Sequence, residues 1–195
     1  MKYSKRFEEA LIFANQLHSG QERKVSGAPY IGHLLGVASI VIEYGGNEDE
    51  AIGALLHDAI EDQGGTIIRE EIRKRFGDTV VEIVDGCTDS DVIPKPPWRK
   101  RKEDYIAHLA EATPSILLVS ASDKLHNTRA TLKKYRVIGN EVWNYFAGKK
   151  DGTLWYYRTL IIAFRDRISR IPNCNPQIPQ IVDELDRVVV ELERL

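Results

Sequence analysis

Four side chains in this sequence could close on one divalent cation: His33, the adjacent His57 and Asp58, and Asp123. Two imidazoles and two carboxylates make a mixed nitrogen and oxygen donor set that suits manganese and could equally hold zinc or iron. Such an ion polarises a phosphoryl oxygen and lowers the pKa of its bound water, so the chemistry expected is metal-assisted hydrolysis. His57-Asp58 ends the almost wholly apolar run Ala51–Leu56, and Asp123 follows the apolar Ile116–Val119. Twice, then, a hydrophobic segment carries polar groups inward, where leaving them unpaired would cost several kcal/mol.

Glu61 and Asp62 follow His57 and Asp58 by four positions each, which on a continuous helix sets each one turn along the same face. From there they can reach water at the ion; the ordinary alternative is a solvated helix end. Asn127 stands one turn after Asp123 and could orient that water or bind a ribose or phosphate, unless it is simply a surface or capping residue. Arg23 and Lys24 precede His33 in a glycine-containing loop, where a guanidinium can stack on a purine and an ammonium can neutralise phosphate. Trp98–Tyr105 concentrates positive charge, either as a clamp for a diphosphate or as a solvated helix start. Thr153–Arg158 could add aromatic and cationic contacts, although a core stripe is the commoner fate of its aromatics.

The elements that must position these groups read as helices. Phe7, Ala10, Leu11, Ala14 and Leu17 recur at helical spacing, as do Leu34, Leu35, Ala38, Val41 and Ile42. Thr66 is expected to cap a helix that stops near Gly77, Asp78 to cap the next one through Val84, and Thr113-Pro114 to start the helix carrying Asp123. Thr153–Arg170 is predicted helical up to Pro172. Val182, Leu185, Val188, Leu192 and Leu195 mark an amphipathic terminal helix that packs on the domain or on a second subunit. No alternating strand pattern appears. Proline-rich Thr88–Pro97 reads as a loop beside the site and a candidate lid.

Composition sets the limits. The chain has 195 residues, 43% hydrophobic and 29% charged, enough for one domain, 1–195, with 172–195 as a C-terminal helical extension. A formal charge of −2 argues against a nucleic-acid partner and requires a local basic patch for any anionic substrate. Cys87 and Cys174 match no zinc spacing and are expected to be reduced thiols. The N-terminus lacks a secretory apolar core and no segment approaches a membrane-spanning length, so the expected location is the cytoplasm, with no membrane partner.

His33, His57-Asp58 and Asp123 resemble the H…HD…D signature of HD-domain phosphohydrolases. Gly20–His33, Ala54–Asp62 and Asp123–Asn127 are further similar to the hydrolase domain of RelA/SpoT proteins, and the length is closest to single-domain small alarmone hydrolases of the Mesh1 type. The resemblance runs over roughly residues 7 to 165. It implies an all-α HD-domain bundle with a metal site between helices, and Mn²⁺ held by His33, His57, Asp58 and Asp123. It implies Glu61 and Asp62 as the catalytic pair acting on water. Substrate contacts fall on Arg23, Lys24, Ser26, Lys124 and Asn127, with a purine alarmone as substrate and hydrolysis of the 3′-diphosphate of (p)ppGpp or (p)ppApp as the reaction. Another HD nucleotide phosphohydrolase, an NADPH phosphatase and a non-catalytic nucleotide sensor are the alternatives.

The match has departures. Leu34 stands where the family commonly has proline, and Gly86-Cys87-Thr88-Asp89 where it has Gly-Val-Thr-Lys. His126 is expected to act behind the ligands or in the fold rather than on the ion, and His18 and His108 carry no functional expectation.

Overall fold

The computed structural model describes residues 3–92, 94–172 and 174–195. Ten α-helices account for most of these: α1 (Lys5–Leu17), α2 (Ile31–Glu43), α3 (Glu48–Leu56), α4 (Ala59–Gln63), α5 (Gly65–Phe76), α6 (Asp78–Cys87), α7 (Trp98–His108), α8 (Pro114–Ile138), α9 (Lys149–Arg170) and α10 (Ile178–Arg194). Short 3₁₀ turns cover Leu109–Glu111 and Gly139–Tyr145. The fold is all-α; among the described residues the one β-type pairing noted is an isolated bridge between Glu22 and Pro29.

Helices α2, α3 and α8 form the centre. Leu34, Val37 and Val41 from α2, Ile52, Leu55 and Leu56 from α3, and Leu117, Leu118 and Leu125 from α8 are all wholly buried. Local signals start two of these helices where they are needed. Asn47 and Glu50 close a reciprocal capping box on α3, with bonds of 3.0 and 2.7 Å. On α8, Thr113 caps and Pro114 opens the first turn, as the sequence predicts. Gly53 lets α3 lie against α6: a Cβ there would stand 2.6 Å from Ile83 Cγ2.

Several boundaries differ from the sequence reading. Gly64 and Gly65, at φ +146° and +54°, turn the chain directly into α5, so Thr66 lies inside its first turn and Gly64 occupies the cap position. Gly77 takes the cap position of α6, leaving Asp78 as its first residue, and α6 runs on to Cys87. Helix α9 begins at Lys149, ahead of Thr153. Helix α10 packs on this same chain: Ile178, Ile181, Leu185, Val189 and Leu192 are fully buried, and the helix lies along α8 and α9. Arg158 and Arg165 on α9 reinforce that contact through Asp183, Asp186 and Glu193.

Candidate active site

The three central helices bring the four candidate ligands together. His33 sits in the first turn of α2, His57-Asp58 in the junction between α3 and α4, and Asp123 in the buried middle of α8. One donor atom from each of His33, His57 and Asp58 lies within 4.8 Å of the others. Asp123 joins through Oδ1, 3.2 Å from His33 Nε2 and 3.6 Å from His57 Nε2, while Asp58 Oδ2 stands 3.6 and 3.0 Å from the same two nitrogens.

The hydrogen-bond inventory tests whether this set fits a cation. His57 Nδ1 is 2.8 Å from the Ala54 carbonyl oxygen, which can only accept, so Nδ1 carries a proton and Nε2 is the nitrogen that faces two carboxylates, as a lone pair whenever the ring is neutral. Both His33 Nε2 and His57 Nε2 are buried without a hydrogen-bond partner among the described residues. With its Nδ1–H spent on Ala54, a neutral His57 sets an acceptor against carboxylate acceptors, and in a dry site that is tolerable only around positive charge, whether a proton or a metal ion. A divalent ion with nitrogen and oxygen ligands supplies it, and these four residues fit one.

Electrostatics agree. Burial disfavours charge on His57, but Asp58 and the contacts to Asp123 outweigh it and hold the imidazole well above its ordinary value. Burial likewise opposes ionisation of Asp58 and Asp123. It is overcome by His57 and His33 at the first and by Lys124 and the two imidazoles at the second, leaving both carboxyls well below the carboxylate range. A proton on His57 and a metal ion therefore compete for one negative centre.

A second layer holds these groups. Tyr30 donates its hydroxyl proton to Asp58 Oδ2 at 2.7 Å, and its ring stacks on the buried His18, centroids 5.2 Å apart. His126 Nδ1 meets His33 Nδ1 at 2.8 Å; burial, His33 and Arg23 push the His126 pKa down to about 4, so that ring is neutral. Asp123 accepts Lys124 Nζ at 2.6 Å on Oδ2 and Asn127 Nδ2 at 2.5 Å on Oδ1. Burial would strip the Lys124 proton, yet Asp123, Tyr105 and Tyr156 keep it in place. Asp62 Oδ2 accepts from Gln21 Nε2 at 2.8 Å, and the Gln21 carbonyl is in turn fixed by Gln63 at 2.6 Å and His18 at 2.7 Å.

Above this floor opens a cavity of about 460 Å³, with a chamber of about 190 Å³ beside it. The larger space falls in the size range of small-molecule sites. Its walls carry Arg23, Lys24, Ser26, Tyr30, Asp58, Glu61, Asp62, Arg101, Lys102 and Asn127; the chamber adds Lys124 and Tyr156. Arg23 lies 5.5 Å from the Tyr30 ring centre and donates to Asn127 Oδ1 at 2.5 Å. Asp89 grips Arg101 and, at 3.1 Å, Lys102, so the acid at this departure from the family pattern anchors two cations at the cavity wall. Burial, Lys124 and Arg101 push the Lys102 pKa down to about 7.

The profile of the HD domain family matches residues 10–153. The chain belongs to the HD domain family. Among its relatives is the guanosine-3′,5′-bis(diphosphate) 3′-pyrophosphohydrolase MESH1 of Xenopus tropicalis, 41% identical over 124 residues, which are 62% of this chain and 66% of that protein. The enzyme of the same activity from Aquifex aeolicus is 36% identical over 131 residues, covering 66% of this chain and 18% of the relative. The chain thus spans just under two thirds of the MESH1 relative and a small part of the longer one. In three dimensions it is similar to a metazoan SpoT orthologue that hydrolyses ppGpp, with a TM-score of 0.76 and 25% identity over 96% of this chain and 97% of that one. A Listeria monocytogenes protein of known structure gives a TM-score of 0.71 at 29% identity, over 84% of this chain and 99% of its own.

Within this HD domain, the residues singled out from sequence converge, with exceptions. Glu61 and Asp62 line the cavity, but the helix between them and the candidate ligands is broken: α3 ends at Leu56 and α4 begins at Ala59. Glu61 is engaged by Lys95 Nζ at 2.7 Å and by the Asp89 backbone N–H at 3.2 Å. Lys124 is no surface ion pair but a buried one. Of the Trp98–Tyr105 cluster, Trp98, Arg101 and Lys102 face the cavity, whereas Arg99 and Lys100 pair with Glu103 and Asp104 on the exposed face. Tyr156 and Tyr157 line the cavities, but Arg99 covers Trp155 and Arg158 is turned to α10. Sequence reasoning missed Tyr30, whose only signal was its place one turn before His33, and Gln21, which had none.

Proposed function

We propose that this protein is a Mn²⁺-dependent 3′-pyrophosphohydrolase of the purine alarmones (p)ppGpp and (p)ppApp, releasing pyrophosphate. The observation that carries the reading is the pair of buried Nε2 atoms without a hydrogen-bond partner among the described residues, facing Asp58 and Asp123, with Asp58 opening onto a cavity whose walls also carry Arg23, Lys24, Arg101 and Lys102. The kinship with MESH1 and SpoT-type proteins supports the substrate class.

In this reading His33, His57, Asp58 and Asp123 hold the ion. When bound, it supplies Lewis acidity at a phosphoryl oxygen and a more acidic water. Glu61 and Asp62 take the proton of the attacking water, one of them returning a proton to the departing ribose 3′-oxygen as the bond from that oxygen to phosphorus breaks. Asn127, fixed between Arg23 and Asp123, orients the reacting groups. Arg23 turns its guanidinium to the purine, while Lys24, Ser26 and Lys124 bind phosphate oxygens, with Arg101 and Lys102 beside them. Free Cys87 and Cys174 suit a cytoplasmic enzyme.

The test is pyrophosphate release from ppGpp and ppApp by purified protein with Mn²⁺, beside His57→Ala and Glu61→Ala variants and an NADPH arm. Release lost in both variants supports the reading. Binding without turnover of either alarmone, or orthophosphate from NADPH as the only product, overturns it.

A further inference from the structure

His33 and His126 meet through like atoms. Their Nδ1 nitrogens are 2.8 Å apart across 93 positions of chain, with ring centroids at 4.8 Å and planes inclined by 50°. Such a contact is a hydrogen bond only when one nitrogen carries the proton and the other a lone pair. The direction decides what His33 offers its carboxylate neighbours. If His126 donates, a neutral His33 carries its proton on Nε2 and points an N–H at Asp123. If His33 donates, Nε2 is left with a lone pair aimed at the same centre. His57 already displays the second pattern, because the Ala54 carbonyl can only accept from its Nδ1.

We propose that His126 is a positioning residue: it accepts the His33 Nδ1–H and so holds His33 in the tautomer whose Nε2 lone pair faces the cation. The inference rests on the metal reading given above. The fold builds a seat for this contact. Gly36, one turn beyond His33 on α2, leaves the space that the His126 ring fills. A Cβ at position 36 would stand 2.3 Å from His126 Nε2 and 2.5 Å from its Cδ2. The ring is carried by the same helix as Asp123, three residues further on, so one rigid element supplies a ligand from one turn and the partner of another ligand from the next. His33 itself is 2% exposed, which leaves water a poor substitute for the acceptor.

The probe is Mn²⁺ alone, titrated calorimetrically into metal-free protein. Loss of an outer partner of a metal-bound histidine weakens metal binding by about 10- to 100-fold. His126→Phe, which keeps a ring without the acceptor, is expected to show that loss, and Gly36→Ala to show it too by displacing the ring. His126→Gln, whose Oε1 can accept the same N–H, is expected to stay within about threefold of the unmodified protein. Unmodified protein loaded with Zn²⁺ gives an independent readout: ¹⁵N spectra should find His33 protonated at Nδ1. Unchanged Mn²⁺ affinity in His126→Phe while His33→Ala abolishes binding would overturn the inference and leave the metal site standing. An unprotonated His33 Nδ1 would do the same. Unchanged affinity in His33→Ala would bring down the metal reading and this inference together.

Discussion

Tyr30 donates to the oxygen of Asp58 that stands nearest His57: Oη to Oδ2 is 2.7 Å, and Oδ2 to His57 Nε2 is 3.0 Å. The hydroxyl aims the carboxylate at the centre of the candidate site, while the Tyr30 ring packs edge-on against His33, centroids 5.5 Å apart. A hydrogen bond to a charged acceptor is worth about 1.5–3 kcal/mol. Tyr30→Phe is therefore expected to weaken Mn²⁺ binding about tenfold or more and to lower the melting temperature by several degrees, the ring keeping its stack on His18. Calorimetry decides it; an unaltered affinity would mean that Asp58 needs no help to hold its place.

Glu61 is tied at both oxygens, to Lys95 and to the Asp89 N–H, which fixes it at the cavity wall apart from the four candidate ligands. Glu61→Gln preserves size while removing the proton acceptor. Proton transfer by a positioned side chain is worth about 10²–10⁴ in rate, so kcat should drop by that factor with KM and Mn²⁺ affinity nearly unchanged. A parallel collapse of Mn²⁺ affinity would instead make Glu61 a ligand.

The parts of this site that could be read from sequence are those whose signal is local. Thr113-Pro114 and the apolar run behind it fix where α8 starts, and hence that Asp123 points inward; Asn127 follows by helical spacing. His57-Asp58 announced itself by ending an apolar run. The break between α3 and α4 did not: His57 keeps helical dihedrals and Asp58 departs only modestly, at φ −98° and ψ −1°, so no glycine or proline marks it. Partners brought by distant segments were out of reach as well. Arg158 reads as a cation near an aromatic stripe until α10 supplies Asp186 and Glu193, and nothing near Asp89 shows that Arg101 and Lys102 close upon it.

Helix α10 is expected to contribute stability and no chemistry. Leu185 is fully buried in the main core cluster, and truncating such a leucine costs about 2–5 kcal/mol. Leu185→Ala should lower the denaturation midpoint accordingly. Arg158→Ala should cost under about 1 kcal/mol, since its ion pairs are partly solvated. Mn²⁺ affinity should be unchanged in both. A strong loss of affinity in Leu185→Ala at temperatures where the protein remains folded would place α10 in the functional machinery.

Lys102 offers a test by pH. Its pKa is pushed down to about 7 by burial and by Lys124 and Arg101. A bound phosphate would raise it, because the ammonium then gains an anionic partner. Below about 7 the proton is already present when substrate arrives, so binding needs no proton uptake and KM should be flat. Above that value each bound substrate must bring a proton with it, and KM should climb by up to about tenfold per pH unit until the raised pKa of the complex is reached. Lys102→Arg keeps the positive charge across this range, so its KM should lose the slope. Steady-state pyrophosphate release measured from about pH 6 to pH 9 supplies both curves. The same slope in the arginine variant would assign the titration to another group, and a flat KM in the unmodified protein would remove Lys102 from the phosphate site.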